Sequence, residues 1–152
     1  MPKMSHQKIV AYLYGMLLAF VTPRALGTTL FAPFRIRLRR SKYREPDLIF
    51  MLAEHASRMG EDYWMGADLA MEVVSEDSES RERDIVKKRK AYAAAGIAEY
   101  WIIDPRERNI TVLKLSGKSY SLHGEYDEGQ KARSALLKGF NVDVSECFNA
   151  GR

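Results

Sequence analysis

Two apolar stretches with a charged segment between them decide the fold: DLAMEVV at residues 68–74 and EYWIID at residues 99–104. Both have the composition of central strands, which are covered on two faces. The charged segment has a helical pattern, with Ser78 or Ser80 as its predicted N-cap and Gly96 as its C′ residue. A strand–helix–strand unit predicts two parallel strands joined by a right-handed crossover.

A further helix is predicted from His6 to Val21, capped by Ser5 and ended by Pro23. Its apolar run, Ile9–Val21, has 13 residues. A membrane-spanning helix needs roughly 20 apolar residues. A signal peptide is the alternative, but no small-residue cleavage site follows the run. We therefore expect a buried amphipathic helix and no membrane association.

Short strands are predicted on both sides of the central unit. Residues 34–38 alternate between apolar and basic side chains, which predicts a half-buried strand with a basic outer face. The basic side chains of this alternation are Arg35, Arg37 and Arg39. The other predicted strands lie at residues 28–31, 45–51, 109–115 and 118–123, with a short one within 134–148. The predicted fold class is α/β: a mixed β-sheet with an N-terminal helix and a crossover helix.

Length and composition limit the organisation of the chain. Its 152 residues fit one compact domain, residues 1–152. The one cysteine, Cys147, excludes an internal disulfide and favours the reducing cytoplasm. Residues 1–44 hold nine of the 24 Lys and Arg residues and none of the 20 acidic residues. This basic segment suits a polyanion such as DNA; a solubilising face is the alternative.

Three carboxylates are candidate metal ligands. Asp68 and Glu72 point to the same face of the strand at residues 68–74, about 13 Å apart along it, which is too far for both to bind one ion directly. Glu72 lies within an apolar strand, where a carboxylate needs a partner or a metal ion. Asp47 starts another apolar strand, and if the two strands pair, it converges with Glu72. Carboxylate oxygens with waters and a phosphate are the usual ligands of Mg²⁺, and Mn²⁺ is the alternative ion.

The crossover helix supplies cations. Asp84, Lys88 and Tyr92 share one helical face at spacing i, i+4, i+8. We therefore expect Lys88 to face the sheet and Lys87 to face solvent. A lysine beside a metal ion stabilises the charge that develops on a phosphate. The catalytic candidates are Asp47, Glu72 and Lys88, with Asp84, Tyr92 and His6 as supporting residues; the nucleic-acid-binding candidates are Arg35, Arg37, Arg39 and Lys87.

Each candidate also has a structural alternative. Asp47 follows a proline and fits an ordinary strand start. Glu72 fits a structural acid paired with a Lys or Arg. The basic run of the helix fits a solvated face. Asp104, which precedes Pro105, is interpreted as a turn residue.

These motifs resemble the Uma-two family, bacterial endonucleases of the restriction-endonuclease-like PD-(D/E)XK superfamily. The resemblance extends from about His6 to Phe148 and is most specific in EYWIID and the helix before it. It implies that the motif aspartate is Asp47 and that the motif glutamate is Glu72. Val74 stands where the superfamily has its lysine, so the resemblance assigns that role to Lys88.

The sequence departs from the family in a second place. Family members usually carry a glutamate in a segment before the first helix, whereas no acidic residue precedes Glu45 here. We therefore expect that element to be absent. Asp68 is a further acid of the family pattern, usually preceded by proline but here by Ala67.

Three functional hypotheses remain open at this stage. The first is a Mg²⁺-dependent endonuclease that hydrolyses DNA phosphodiester bonds. The second is a non-catalytic nucleic-acid-binding module, suggested by the basic first third of the chain and the missing glutamate. The third is a scaffold with a degenerate nuclease site, in which the apolar patch left by a missing element forms a homodimer interface.

Overall fold

The structure is a computed structural model that describes residues 2–77 and 81–152. Within these residues, three α-helices and a 3₁₀-helix accompany the strands of three sheets. The helices are α1 (Met4–Val21), the 3₁₀-helix (Ala53–Arg58), α2 (Arg81–Ala94) and α3 (Val144–Asn149). The strands are β1 (Gly27–Phe31), β2 (Ile36–Arg39), β3 (Lys42–Arg44), β4 (Leu48–Leu52), β5 (Trp64–Met65), β6 (Leu69–Val73), β7 (Glu99–Asp104), β8 (Asn109–Ser116), β9 (Ser119–Asp127), β10 (Lys131–Arg133) and β11 (Asn141–Asp143).

The central sheet has six strands in the order β1-β4-β6-β7-β8-β9. Strands β6 and β7 are parallel, with Leu69 opposite Glu99, and α2 connects them. The other pairings in this sheet are antiparallel. The predicted mixed sheet, its parallel pair and the crossover helix are therefore confirmed. The predicted caps Ser78 and Ser80 lie outside the described residues.

The two faces of the central sheet carry separate cores. The side chains of Leu69, Met71 and Val73 pack on the face covered by α1. Ala70 and Tyr92 belong to the core on the opposite face, which α2 covers. Because side chains alternate along a strand, Glu72 projects toward α2.

Helix α1 is longer at its start than predicted. It begins at Met4, so Lys3 occupies the N-cap position and makes no side-chain capping hydrogen bond. The prediction that Ser5 caps this helix is therefore wrong. Ile9, Leu13 and Leu17 are buried as the apolar spacing predicted. In the described ranges, no helix is both long and apolar enough to cross a membrane.

Strands β2, β3 and β5 form a second, three-stranded sheet. Strand β2 is shorter than predicted and includes Ile36 to Arg39. Its pairing with β3 is irregular: Arg37 lies opposite Tyr43, Arg39 lies opposite Lys42, and a bulge separates these pairs. A bulge turns the side chains that follow it toward the other face. The regular alternation predicted for Arg35, Arg37 and Arg39 therefore ends at this bulge.

Candidate active site

Glu72 lies near the end of β6 and is buried, with 5% of its surface exposed. Its Oε2 accepts a hydrogen bond from the Tyr92 hydroxyl at 2.8 Å and forms an ion pair with Lys88 Nζ at 3.0 Å. Its Oε1 accepts from the backbone N–H of Asp47 at 3.4 Å. These donors offset the cost of burying the carboxylate. The expectation that Glu72 needs partners is confirmed.

Burial dominates the protonation of this cluster. It raises the pKa of the Glu72 carboxyl above its ordinary value, while the nearby Lys88 charge opposes the rise and Asp47 adds to it. Burial, followed by the charge of Glu72, also raises the pKa of Tyr92 far above its ordinary range. Tyr92 is therefore a neutral hydroxyl that donates a hydrogen bond to Glu72.

Asp47 precedes β4 and lies beside the end of β6. Its Oδ2 accepts from the backbone N–H of Val73 at 2.8 Å and lies 3.3 Å from His6 Nε2. The hydrogen bond to Asp47 is the main reason why the pKa of His6 is raised, and burial opposes it. His6 Nδ1 is buried without a partner among the described residues. Helix α1 thus places His6, one of the supporting candidates, in the cleft beside Asp47.

A cleft of about 690 Å³ surrounds these groups. Its lining includes His6 from α1, Glu72 from β6, Asp84 and Lys88 from α2, and Asp47 just before β4. The i, i+4, i+8 face of α2 is therefore directed as predicted, with Tyr92 buried beneath it. The side chain of Lys88 is 37% exposed, so it contacts Glu72 and also reaches the open cleft.

Asp68 does not join Asp47 and Glu72. Its carboxylate accepts from the backbone N–H of Leu52 at 2.7 Å, contacts His55 Nδ1 at 2.9 Å and lies 3.7 Å from Arg58. The physical reason is its position just before β6, about 13 Å along the strand from Glu72. The prediction of Asp68 as a metal ligand finds no support in these contacts, which instead tie the 3₁₀-helix to the sheet.

The four predicted nucleic-acid-binding residues do not form one surface. The Arg35 guanidinium stacks on the ring of Tyr43, 4.9 Å from its centroid, beside Tyr63. Arg39 and Lys87 instead line a separate cavity next to α2. The bulge in β2 accounts for the separation. The basic outer face predicted for Arg35, Arg37 and Arg39 is therefore interrupted at Arg39, and nucleic-acid binding by these residues and Lys87 stays a prediction.

Sequence reasoning missed one buried ion pair at the edge of the cleft. Arg81, at the start of α2, donates to Asp104 at the end of β7. Asp104 also accepts from the backbone N–H groups of Arg106 and Glu107, each at 3.1 Å, so its predicted turn role is confirmed. No local charge pattern in the sequence indicates this pair, because Arg81 lies on α2 and Asp104 lies on β7.

The donors in the cleft fit a hard divalent cation. Across residues 2–77 and 81–152, no three His, Cys, Asp or Glu side chains are already arranged as a ligand cluster. Mg²⁺, however, commonly takes one or two carboxylates and completes its shell with waters and substrate phosphate. The carboxylates of Asp47 and Glu72 supply that number, and both border the open cleft.

A mixed sheet between α1 and α2, with Asp, Glu and a helix-borne Lys meeting in one cleft, defines a restriction-endonuclease-like protein. The chain belongs to the Uma2 family, described as "Putative restriction endonuclease", whose profile matches residues 1–145. A solved structure from Anabaena variabilis, titled a "putative nuclease belonging to DUF820", has the same fold with a TM-score of 0.82 and 15% sequence identity. The alignment covers 100% of this chain and 84% of that one. No curated protein matches the sequence.

Proposed function

We propose that this protein is a metal-dependent endonuclease that hydrolyses the phosphodiester bonds of DNA. The observation that carries the proposal is the convergence of Asp47, Glu72 and Lys88 in one open cleft. These residues come from two adjacent strands and a helix, yet the backbone N–H of Asp47 bonds directly to Glu72. The family description adds support for a nuclease.

Asp47 and Glu72 would hold a Mg²⁺ or Mn²⁺ ion. Such an ion polarises a phosphoryl oxygen and lowers the pKa of bound water, which supplies a nucleophile near neutral pH. Asp47 is held by the Val73 N–H and faces His6. Glu72 is held by the Tyr92 hydroxyl and Lys88. Both carboxylates are therefore oriented before substrate binds, which reduces the reorganisation that the reaction requires.

Lys88 would act on the substrate itself. Its ammonium group lies 3.0 Å from Glu72 Oε2 and its side chain is partly exposed to the cleft. A phosphate that enters the cleft brings negative charge within reach of this cation. Fixed positive charge near the reacting phosphate stabilises the transition state in which that charge increases. Lys88 thus fills the position that Val74 leaves without a cation.

Plasmid cleavage tests this proposal. Purified wild-type protein is incubated with supercoiled DNA in Mg²⁺ or Mn²⁺ and compared with Glu72→Gln, which keeps the shape of the side chain but removes its charge. The exposed Glu61 supplies a matched control, Glu61→Gln. We expect cleavage by wild type and by the control and at least about 10²-fold less by Glu72→Gln. Equal cleavage by wild type and Glu72→Gln would reject the site.

A second candidate is a nucleic-acid-binding module without catalysis. It is favoured by the arrangement of the ligands, because no three His, Cys, Asp or Glu side chains of the described residues form a group that could hold a metal ion. This candidate predicts salt-dependent DNA binding and no heat of Mn²⁺ binding in calorimetry. Mn²⁺ binding that disappears in Glu72→Gln would exclude it.

A further inference from the structure

A second cavity, of about 330 Å³, lies between α2 and the hairpin of β2 and β3. Its apolar lining consists of Leu38, of Ala91 and Ala94 in α2, and of Ala95 just after the helix. Its charged lining residues are all cations: Arg39 and Lys42 from the hairpin, and Lys87 and Lys90 from the helix. In the part of the chain that the structure describes, no acidic side chain lines this cavity.

The bulge in β2 brings these cations together. Arg39 pairs with Lys42 immediately after the bulge. Both therefore face α2, away from the aromatic face on which Arg35 stacks. Without the bulge, the alternation would direct Arg39 to the side of Arg35. The hairpin thus adds two cations to those of the helix.

The cations repel one another in the absence of an anion. Partial desolvation, and then the charges of Arg44, Arg39 and Lys87, lower the pKa of Lys42. The lysines and arginine that line the cavity have no ion pair with a described residue. An anionic ligand would relieve this repulsion, and the short alanine side chains leave room for it above the helix.

The cavity is joined to the cleft by the chain itself. Lys87 precedes Lys88, and Lys42 lies five residues before Asp47. Five residues span at most about 18 Å. A DNA strand has one phosphate per about 3.4 Å of helix axis, so a strand that crosses the cavity reaches the cleft within about five nucleotides.

We propose that this cavity binds a backbone phosphate of duplex DNA a few nucleotides from the bond in the cleft, with Lys42 and Lys90 as direct contacts. The position relative to the cut rests on the proposed function, whereas the binding itself does not. The ligand is the phosphodiester group; a free phosphate has the same chemistry, and the experiment distinguishes the two.

Fluorescence anisotropy of a labelled duplex in EDTA, where cleavage is excluded, tests the proposal. The double variant Lys42→Gln/Lys90→Gln is compared with Lys114→Gln/Lys118→Gln, which removes the same charge from exposed positions on the β8–β9 hairpin. We expect the first variant to reduce the slope of log K against log salt by about 1, because one phosphate contact is lost. We also expect it to bind at least about tenfold more weakly near 0.1 M salt. The control is expected to bind like wild type.

Several outcomes would overturn the inference. The first is an equal loss of duplex affinity in both double variants, and the second is no loss in Lys42→Gln/Lys90→Gln. The third is binding of inorganic phosphate that depends on these two lysines while duplex binding does not. Stronger lysine-dependent binding of single-stranded RNA than of duplex would also contradict it.

The two proposals fail separately. If duplex binding depends on Lys42 and Lys90 but wild type does not cleave DNA in Mg²⁺, the endonuclease proposal is rejected and the phosphate site in the cavity is retained. If wild type cleaves DNA but the Lys42→Gln/Lys90→Gln variant binds duplex as tightly as wild type, only the proposed phosphate site in the cavity is rejected.

Discussion

Replacing Lys88 by Met tests the link between the helix and the buried carboxylate. Lys88→Met keeps most of the side-chain volume and removes the charge that lies 3.0 Å from Glu72. At an effective dielectric constant near 20, opposite charges at this distance attract by roughly 5 kcal/mol. The net contribution is smaller, because the side chain of Lys88 is 37% exposed and therefore screened by water. Hydrogen bonds to charged groups suggest about 1–2 kcal/mol after this discount.

The assay is urea denaturation of metal-free protein. At pH 8 we expect Lys88→Met to lower the free energy of unfolding by about 1–2 kcal/mol, because Glu72 is left buried and charged. The loss should shrink as the pH falls through the raised pKa of Glu72, since a protonated carboxyl does not need the cation. In a Glu72→Gln background the same substitution should have almost no effect. An equal loss in both backgrounds would refute the reasoning. In plasmid cleavage, Lys88→Met should reduce the rate about 10²–10³-fold.

Three further perturbations address the surroundings of the site. Tyr92→Phe removes a donor to Glu72, so the pKa of Glu72 should rise and the acidic limb of the cleavage pH profile should move to higher pH; an unchanged limb would count against this role. In metal-free wild type, the pKa of Glu72 is higher in the folded state than in the unfolded state. At a pH between these two values, Glu72 is therefore protonated more often in the folded state. Stability should therefore decrease as pH rises through that window, and Glu72→Gln should remove this component of the slope in urea denaturation. Asp68→Asn breaks the pairs with His55 and Arg58 and should lower the free energy of unfolding by about 1–2 kcal/mol after discounting their partial exposure. The folded variant should still cleave DNA. Loss of cleavage would show that Asp68 takes part in the active site.

The central unit of the fold was predictable because its residues leave few alternatives. Two apolar strands with a helix between them favour a parallel pairing, and β6 and β7 form it. Glu72 stood out for the same reason, since a carboxylate inside an apolar strand needs compensation. The helical spacing of Lys88 and Tyr92 then directed both toward it.

Other contacts depend on geometry that no periodic pattern reveals. His55 and Arg58, the side-chain partners of Asp68, lie in a 3₁₀-helix that has no buried residues. The sequence therefore did not reveal these partners, and Asp68 was predicted to be a metal ligand. The bulge in β2 is a pairing defect between two strands, and Arg39 could not be assigned to the face of Lys42 without it. Arg81 and Asp104 lie 23 residues apart on α2 and β7, and only the tertiary fold brings them together.

The most direct test of the central claim is a crystal structure of the protein soaked in Mn²⁺, inspected for anomalous scattering. Our account predicts a peak in contact with the carboxylates of Asp47 and Glu72, and no such peak in Glu72→Gln crystals. Anomalous density at Asp68 instead, or a wild-type cleft without density at saturating Mn²⁺, would contradict it.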